Sequence, residues 1–231
     1  MTYASLMTTL EMERETVSDG FRFTDDALVL HQSGGPQAES IATLRTHLLA
    51  QHIGDGRRSL AICAAEDGAG STFLATNLAA AFALAGINTL LIDGNLRRPA
   101  LQNWVVASKP CLGLGEYLAN SELQLYDCIQ HAVLPNLSVF YAGQPADNAP
   151  ELMATRRFTD AMDDCMRSYD LTIVDTPPLS QAADIRRIAT TLRYALVVAR
   201  KDASTISDMR RLCEELRADR AKVIGSFLND Y

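Results

Sequence analysis

The segment Ala65-Glu66-Asp67-Gly68-Ala69-Gly70-Ser71-Thr72 joins an apolar run, SLAICA at 59–64, to an alanine- and leucine-rich stretch from Thr72 to Ala85. Glycines at a strand-to-helix turn let backbone N–H groups close on a phosphate, and the helix dipole adds to the attraction. Asp67, Gly68, Ala69, Gly70, Ser71 and Thr72 are therefore the candidate phosphate-binding residues. The turn is not a dinucleotide fingerprint, because Phe73 stands where the third glycine of GxGxxG belongs. Two further apolar runs end in a carboxylate, LLID at 90–93 and TIVD at 172–175. Placed after a buried strand, a carboxylate reaches a metal ion or a water beside the phosphate. Asp93 and Asp175 are the candidate catalytic and metal-binding groups. Either one alone serves equally well as a helix cap or turn residue. Both together, beside one glycine loop, read as a nucleotide and Mg²⁺ site.

For those loops to meet, the strands before them must share a sheet. Ala38 to Gln51 reads as a helix with Ile41, Leu44, Leu48 and Leu49 on one face. Strands are expected at 59–64, 89–92, 137–141, 171–174, 194–198 and 222–228, and helices at 72–85, 151–166, 184–192 and 204–218. Continuous apolar strands alternating with helices indicate a doubly wound α/β domain with a mostly parallel sheet, whose ligands bind at the strands' carboxyl ends. This domain is expected to span 36–231. Residues 1–35 differ from it, with six carboxylates against Arg14 and Arg22, poor periodicity and a Ser33-Gly34-Gly35-Pro36 breaker at the end. They read as an extended acidic arm with a short strand at 27–30. Trp104, Val105 and Val106 either form an exposed apolar contact or simply pack.

The 231 residues carry a net charge of −7, which argues against a chain whose main work is coating nucleic acid. Apolar residues at 48% and charged residues at 21% suit an ordinary globular core. The longest nearly unbroken apolar run, 78–87, is too short to span a bilayer, and the first residues lack the pattern of a secretory signal. Five scattered cysteines and four dispersed histidines show no ligand spacing, so reduced thiols and no metal cage are expected.

The run from GAGSTFLATNLA (68–79) through LLIDGNLRRP (90–99) to YDLTIVDTPP (169–178) resembles the bacterial tyrosine kinases of capsule and exopolysaccharide synthesis. These belong to the MinD/ParA class of P-loop NTPases. PQAE (36–39), LRT (44–46), GLGEYLA (113–119), NAPEL (148–152) and VIGSFLN (223–229) extend the likeness over about 36–229. It implies a cytoplasmic domain that binds Mg²⁺ and ATP, with Thr72, Asp93 and Asp175 around the metal. It also implies a transmembrane polysaccharide co-polymerase as partner, through which alone the domain reaches the inner membrane. A homo-oligomeric ring with Glu39 and Arg45 at its contacts is expected, and no nucleic acid. Tyr231 is the one candidate phosphoacceptor at the C-terminal end.

Four positions depart from the family pattern. Ser71 occupies the lysine of GxGK, and Asn95 the second acid of DxD. Ala42 replaces the middle arginine of ExxRxxR, and Tyr231 stands alone where a tyrosine cluster would begin. Together they imply a degenerate member whose kinase activity is weak or absent, regulating export of a capsule- or holdfast-type polysaccharide. The alternative is an active autokinase in which Arg97, Arg98 or Lys201 lends the missing charge. A DNA- or membrane-positioning ATPase is the third reading, disfavoured by the absent lysine and the acidic balance.

Overall fold

The computed structural model describes residues 18, 20–32, 34–181 and 184–230. It opens with a short strand, β1 (Phe21–Phe23), and one helical turn, α1 (Leu28–His31). Helix α2 (Pro36–Leu48) starts with proline in its first turn and ends in a π-helical turn over Leu49–Ile53. Then follow β2 (Ser59–Ala64), α3 (Ser71–Leu84), β3 (Thr89–Asp93), β4 (Val105–Ala107), α4 (Leu114–Ala119) and α5 (Leu125–Cys128). The second half contains β5 (Gln130–Leu134), β6 (Leu137–Phe140), α6 (Ala149–Ala154), α7 (Arg156–Ser168), β7 (Leu171–Asp175), α8 (Asp184–Leu192), β8 (Tyr194–Arg200), α9 (Ile206–Ala218) and β9 (Lys222–Asn229). Among the described residues no helix is long and apolar enough to cross a membrane.

Seven strands form one sheet in the order β5-β6-β3-β7-β2-β8-β9, parallel except for the β5–β6 pair. This is the doubly wound, mostly parallel sheet that the alternation of runs predicts. Strands β2, β3 and β7 are buried along their whole length, as continuous apolar runs covered on both faces must be. The register sets Asp175 opposite both Ile62 of β2 and Asp93 of β3, so both strand-end carboxylates arrive beside the loop that follows β2. Helix α3 is apolar almost all round because it is covered on every side.

Residues 27–30, expected as a strand, instead form the turn α1. A polar residue inside α3 explains the difference. Asn77 is fully buried, and its side-chain amide donates to the Asp26 and Phe73 carbonyls while its oxygen accepts the Val29 N–H at 3.1 Å. That clamp fixes 26–29 against α3, and Ala27 and Phe23 are buried beside it. Residues 1–17, 19 and 33 of the acidic arm lie outside the described residues. The single helix expected over 151–166 is two, because Thr155 leaves the helical region and its hydroxyl caps α7 by accepting the Phe158 N–H. The segment at 104–106 packs: Val105 is buried in a ribbon of β1 with β4, and Trp104 lies edge-on to Phe73.

Asn77→Ala removes the acceptor of the Val29 N–H, so it should cost about 2 kcal/mol of stability. Hydrogen exchange at the amides of 27–31 should speed up beyond that of the sheet. Unchanged protection there would show that the clamp does not hold this segment.

Candidate nucleotide site

The phosphate loop turns on two glycines in the left-handed region, Gly68 at φ 74 and Gly70 at φ 93, where a side chain is strained. Gly70 is the N-cap of α3, so Ser71 and Thr72 open that helix and the loop amides precede its positive end. The Thr72 hydroxyl donates to Asp175 Oδ2 at 2.5 Å. Asp175 is 2% exposed, and its Oδ1 has no hydrogen-bond partner among the described residues. Burial pushes this carboxyl up to about 7; the Asp93 carboxylate adds to the rise, and the Thr72 and Ser71 hydroxyls work against it. A buried carboxylate with one open oxygen, next to a threonine hydroxyl, is a donor set that suits a divalent cation. No lysine stands at the first position of α3.

Asp93 lies beside this pair but is otherwise engaged. Its Oδ1 accepts the Asn95 N–H, and its Oδ2 accepts those of Ala100 and Leu101, all at 2.9 Å. Burial raises its carboxyl while those three donors oppose the rise. Expected as a second metal ligand, Asp93 holds the 93–101 loop closed in this structure. Asn95 is used in the same loop, its side-chain oxygen accepting the Arg98 N–H. Gly94 permits the close approach of β7: a Cβ there would meet the Asp175 carbonyl at 2.8 Å and Val174 and Ile188 at 2.9 Å.

The cations named as substitutes for the lysine are placed elsewhere. Arg97 pairs with buried Asp184 at 3.2 Å, and Lys201 pairs with Asp230 at 2.8 Å. Arg98 donates to Gln181, whose amide donates in turn to Asp67. Among the described residues a cation does reach the loop: Arg200, from the end of β8, donates through its guanidinium to the Gly68 carbonyl at 3.4 Å. Arg200 was not among the three cations named from the sequence; the pleat and length of β8 decide which side chain faces the loop. Asn229, at the end of β9, donates to the Ala69 carbonyl. Asp67 accepts the Gly68 N–H with its own carboxylate, so that loop amide is already capped.

Of the oligomer candidates, Glu39 is exposed on α2, whereas Arg45 turns inward to donate to the Ala81 carbonyl of α3. Tyr231 lies outside the described residues.

Known proteins are similar to this chain in sequence and fold. CapB of Staphylococcus aureus, named as a tyrosine-protein kinase, is 27% identical over 192 residues, which are 83% of either chain. Etk of Escherichia coli K12, a tyrosine-protein kinase, is 31% identical over 191 residues, 83% of this chain and 26% of its own. The solved kinase domain of Etk matches with a TM-score of 0.83 and 29% identity, covering 88% of this chain and 79% of that one. The chain belongs to the bacterial tyrosine-kinase family. The chimerical protein CapA2B2 superimposes with a TM-score of 0.80 at 25% identity, covering 96% of this chain and 97% of its own. MinD of Pyrococcus horikoshii, solved with Mg-ADP, has a TM-score of 0.63 at 18% identity and shows the common fold alone. No family model matches the chain. The chain spans most of CapB but about a quarter of Etk.

In this family member the folded Asp175 carboxyl keeps its proton to higher pH than the unfolded one, whose ordinary value is 3.8. The fold therefore loses stability as pH rises from about 4 to about 7. Asp175→Asn keeps the size and removes the charge. It should flatten that decline and stabilise the metal-free protein above pH 7 by up to roughly 4 kcal/mol. Thermal melts of both proteins between these limits test this; parallel curves would show that Asp175 is not held protonated.

Proposed function

We propose that this chain is a catalytically degenerate kinase-like domain that regulates polysaccharide export by contacting a membrane co-polymerase, with Mg²⁺-nucleotide binding retained only in weakened form. The observation that carries this reading is Ser71 at the first position of α3, where a neutral hydroxyl faces the buried Asp175 and no ammonium is present. The phosphate-loop amides, the Thr72 hydroxyl and Asp175 would hold Mg²⁺ and the nucleotide phosphates. Asp93 positions the loop beside them. When bound, the metal supplies positive charge against the phosphates. The lysine that GxGK members use for charge on the transferring group is absent, which removes a charge-assisted contact worth roughly 1.5–3 kcal/mol. The resemblance to capsule-system kinases supports the polysaccharide setting, a cytoplasmic place at the inner membrane and the co-polymerase partner. Glu39 on the exposed face of α2 is the contact proposed for self-association.

A second reading keeps the enzyme, and one observation favours it. Arg200 already lies at the loop and offers a cation to a bound phosphate. Calorimetry of Mg·ADP binding, on the native chain and on Ser71→Lys and Arg200→Ala, separates the two. Weak native binding that Ser71→Lys tightens by about 10- to 100-fold, with no phosphotyrosine formed from Mg·ATP, fits the degenerate domain. Native binding in the micromolar range that falls about tenfold in Arg200→Ala, with phosphotyrosine lost in Asp175→Ala, would establish the active kinase in its place.

A further inference from the structure

A cavity of about 590 Å³ opens at the end of the sheet opposite the phosphate loop, where Asn88, Asn136 and Tyr169 lead into β3, β6 and β7. Its volume is that of a small-molecule site, roughly 300–1,000 Å³. The wall is built with local strain. Strand β5 slips register against β6 between Gln130 and Leu134, and Ala132 is held at φ 52, in a region that non-glycine residues occupy at a cost of about 1–3 kcal/mol.

Beside that irregularity His131 stacks on Tyr126, with ring centroids 4.1 Å apart and 26° between the planes. Both imidazole nitrogens are occupied: Nδ1 meets the Tyr169 hydroxyl at 3.3 Å, and Nε2 meets the Tyr126 carbonyl at 3.1 Å. A tautomer with its proton on Nε2 satisfies both contacts. The Tyr126 ring is thus fixed by one face on His131 while the side chain stays 71% exposed. An exposed aromatic ring held rigid by its own scaffold is a platform, not a core residue.

The polar groups around the platform are short and uncharged. Ser138 and Tyr169 are buried in the wall, and burial raises the Tyr169 phenol, keeping its hydroxyl intact as a donor. Asn88 and Asn136 use their amide N–H groups on the Ser168 and Ala83 carbonyls. The carboxamide oxygens of both accept no hydrogen bond among the described residues. The one carboxylate in the lining, Asp164, is paired with Arg167. Among the described residues no lysine or arginine lines the cavity, so a phosphate or nucleotide would enter without a counter-charge. A wholly apolar ligand would cover the carboxamide oxygens of the exposed Asn88 and Asn136 without pairing them.

We infer that this cavity is a binding site for an uncharged, hydroxyl-rich ring, a saccharide unit, stacked by its C–H face on Tyr126 and hydrogen-bonded by the amide and hydroxyl groups of the wall. The inference rests on this cavity alone and stands whether or not the phosphate loop binds nucleotide. The full chain, labelled with ¹⁵N, is titrated by NMR with glucose, galactose, mannose, N-acetylglucosamine and cellobiose, and separately with inorganic phosphate and AMP. At least one sugar should give saturable shifts at the amides of Tyr126, His131, Ser138 and Tyr169. Tyr126→Ala should weaken that sugar by about tenfold or more, Tyr126→Phe should preserve it, and Ser71→Lys should leave it unchanged. The inference is overturned if no sugar of the panel shifts those amides, if Tyr126→Ala binds as tightly as the native chain, or if only phosphate or AMP acts there.

Discussion

A carboxylate buried at the crest of a parallel sheet has to be neutralised by something, and most of the described site follows from that requirement. Asp175 stands on β7 in register with Asp93, sealed from water, with one oxygen on Thr72 and the other unpartnered. Two such groups side by side cannot both be charged in a dry site without help. Three backbone N–H groups meet that need for Asp93. Asp175 has two hydroxyls near it and no cation, so it either keeps a proton or waits for a positive charge from outside. An open, electrostatically unfinished oxygen beside a helix N-terminus is what makes this end of the sheet a receptor rather than a closed core.

The surrounding polar contacts share the work of holding that unfinished point in shape. Gly94 lets β3 and β7 approach until its N–H donates to the Asp175 carbonyl at 2.8 Å. The Leu179 and Ser180 amides donate to the Ala64 and Ala65 carbonyls, tying the loop after β7 to the start of the phosphate loop. Asn229 and Arg200 tie the far strands to the carbonyls at 69 and 68. The phosphate loop is therefore gripped through the Gly68 and Ala69 carbonyls and the Asp67 carboxylate, which takes up the Gly68 amide and leaves those after it to face an anion. A loop gripped in this way keeps its shape without the lysine, which separates the architecture of the site from its catalytic charge.

How much of this was legible in the sequence depended on how far the responsible physics extends along the chain. The seven-stranded sheet's central strands and the three site loops could be read from local signals, since apolar runs and strand-end carboxylates repeat a short pattern. The break at Thr155 was missed because its cap preference is local but weak against a continuous helical run. Residues 27–30 were misread because β-branched and apolar residues suggest a strand, while the deciding contact is Asn77, some fifty residues away. Asp93 looked like a twin of Asp175, and nothing local distinguishes a carboxylate that caps three amides from one that faces a ligand. Arg200 was missing from the three cations named because side-chain direction at a strand end follows from pairing with β9, which no window of sequence contains.

The sheet places two receptive regions at opposite ends, and their chemistry differs in kind. The carboxyl ends of the strands gather helix-start amides, a hydroxyl and a buried acid, an environment selective for phosphate and metal charge. The amino ends gather a stacked tyrosine, neutral hydroxyls and carboxamides around the cavity, whose lining acid Asp164 is paired with Arg167. Continuous strands β3, β6 and β7 run between these ends, but each is held rigidly in register by its neighbours, so neither end needs the other for its geometry. A substitution that removes charge at the phosphate loop therefore leaves the opposite cavity intact. The serine that opens α3 and the tyrosine stacked on His131 therefore act at separate ends of the sheet, and a change at one is not felt through the geometry of the other.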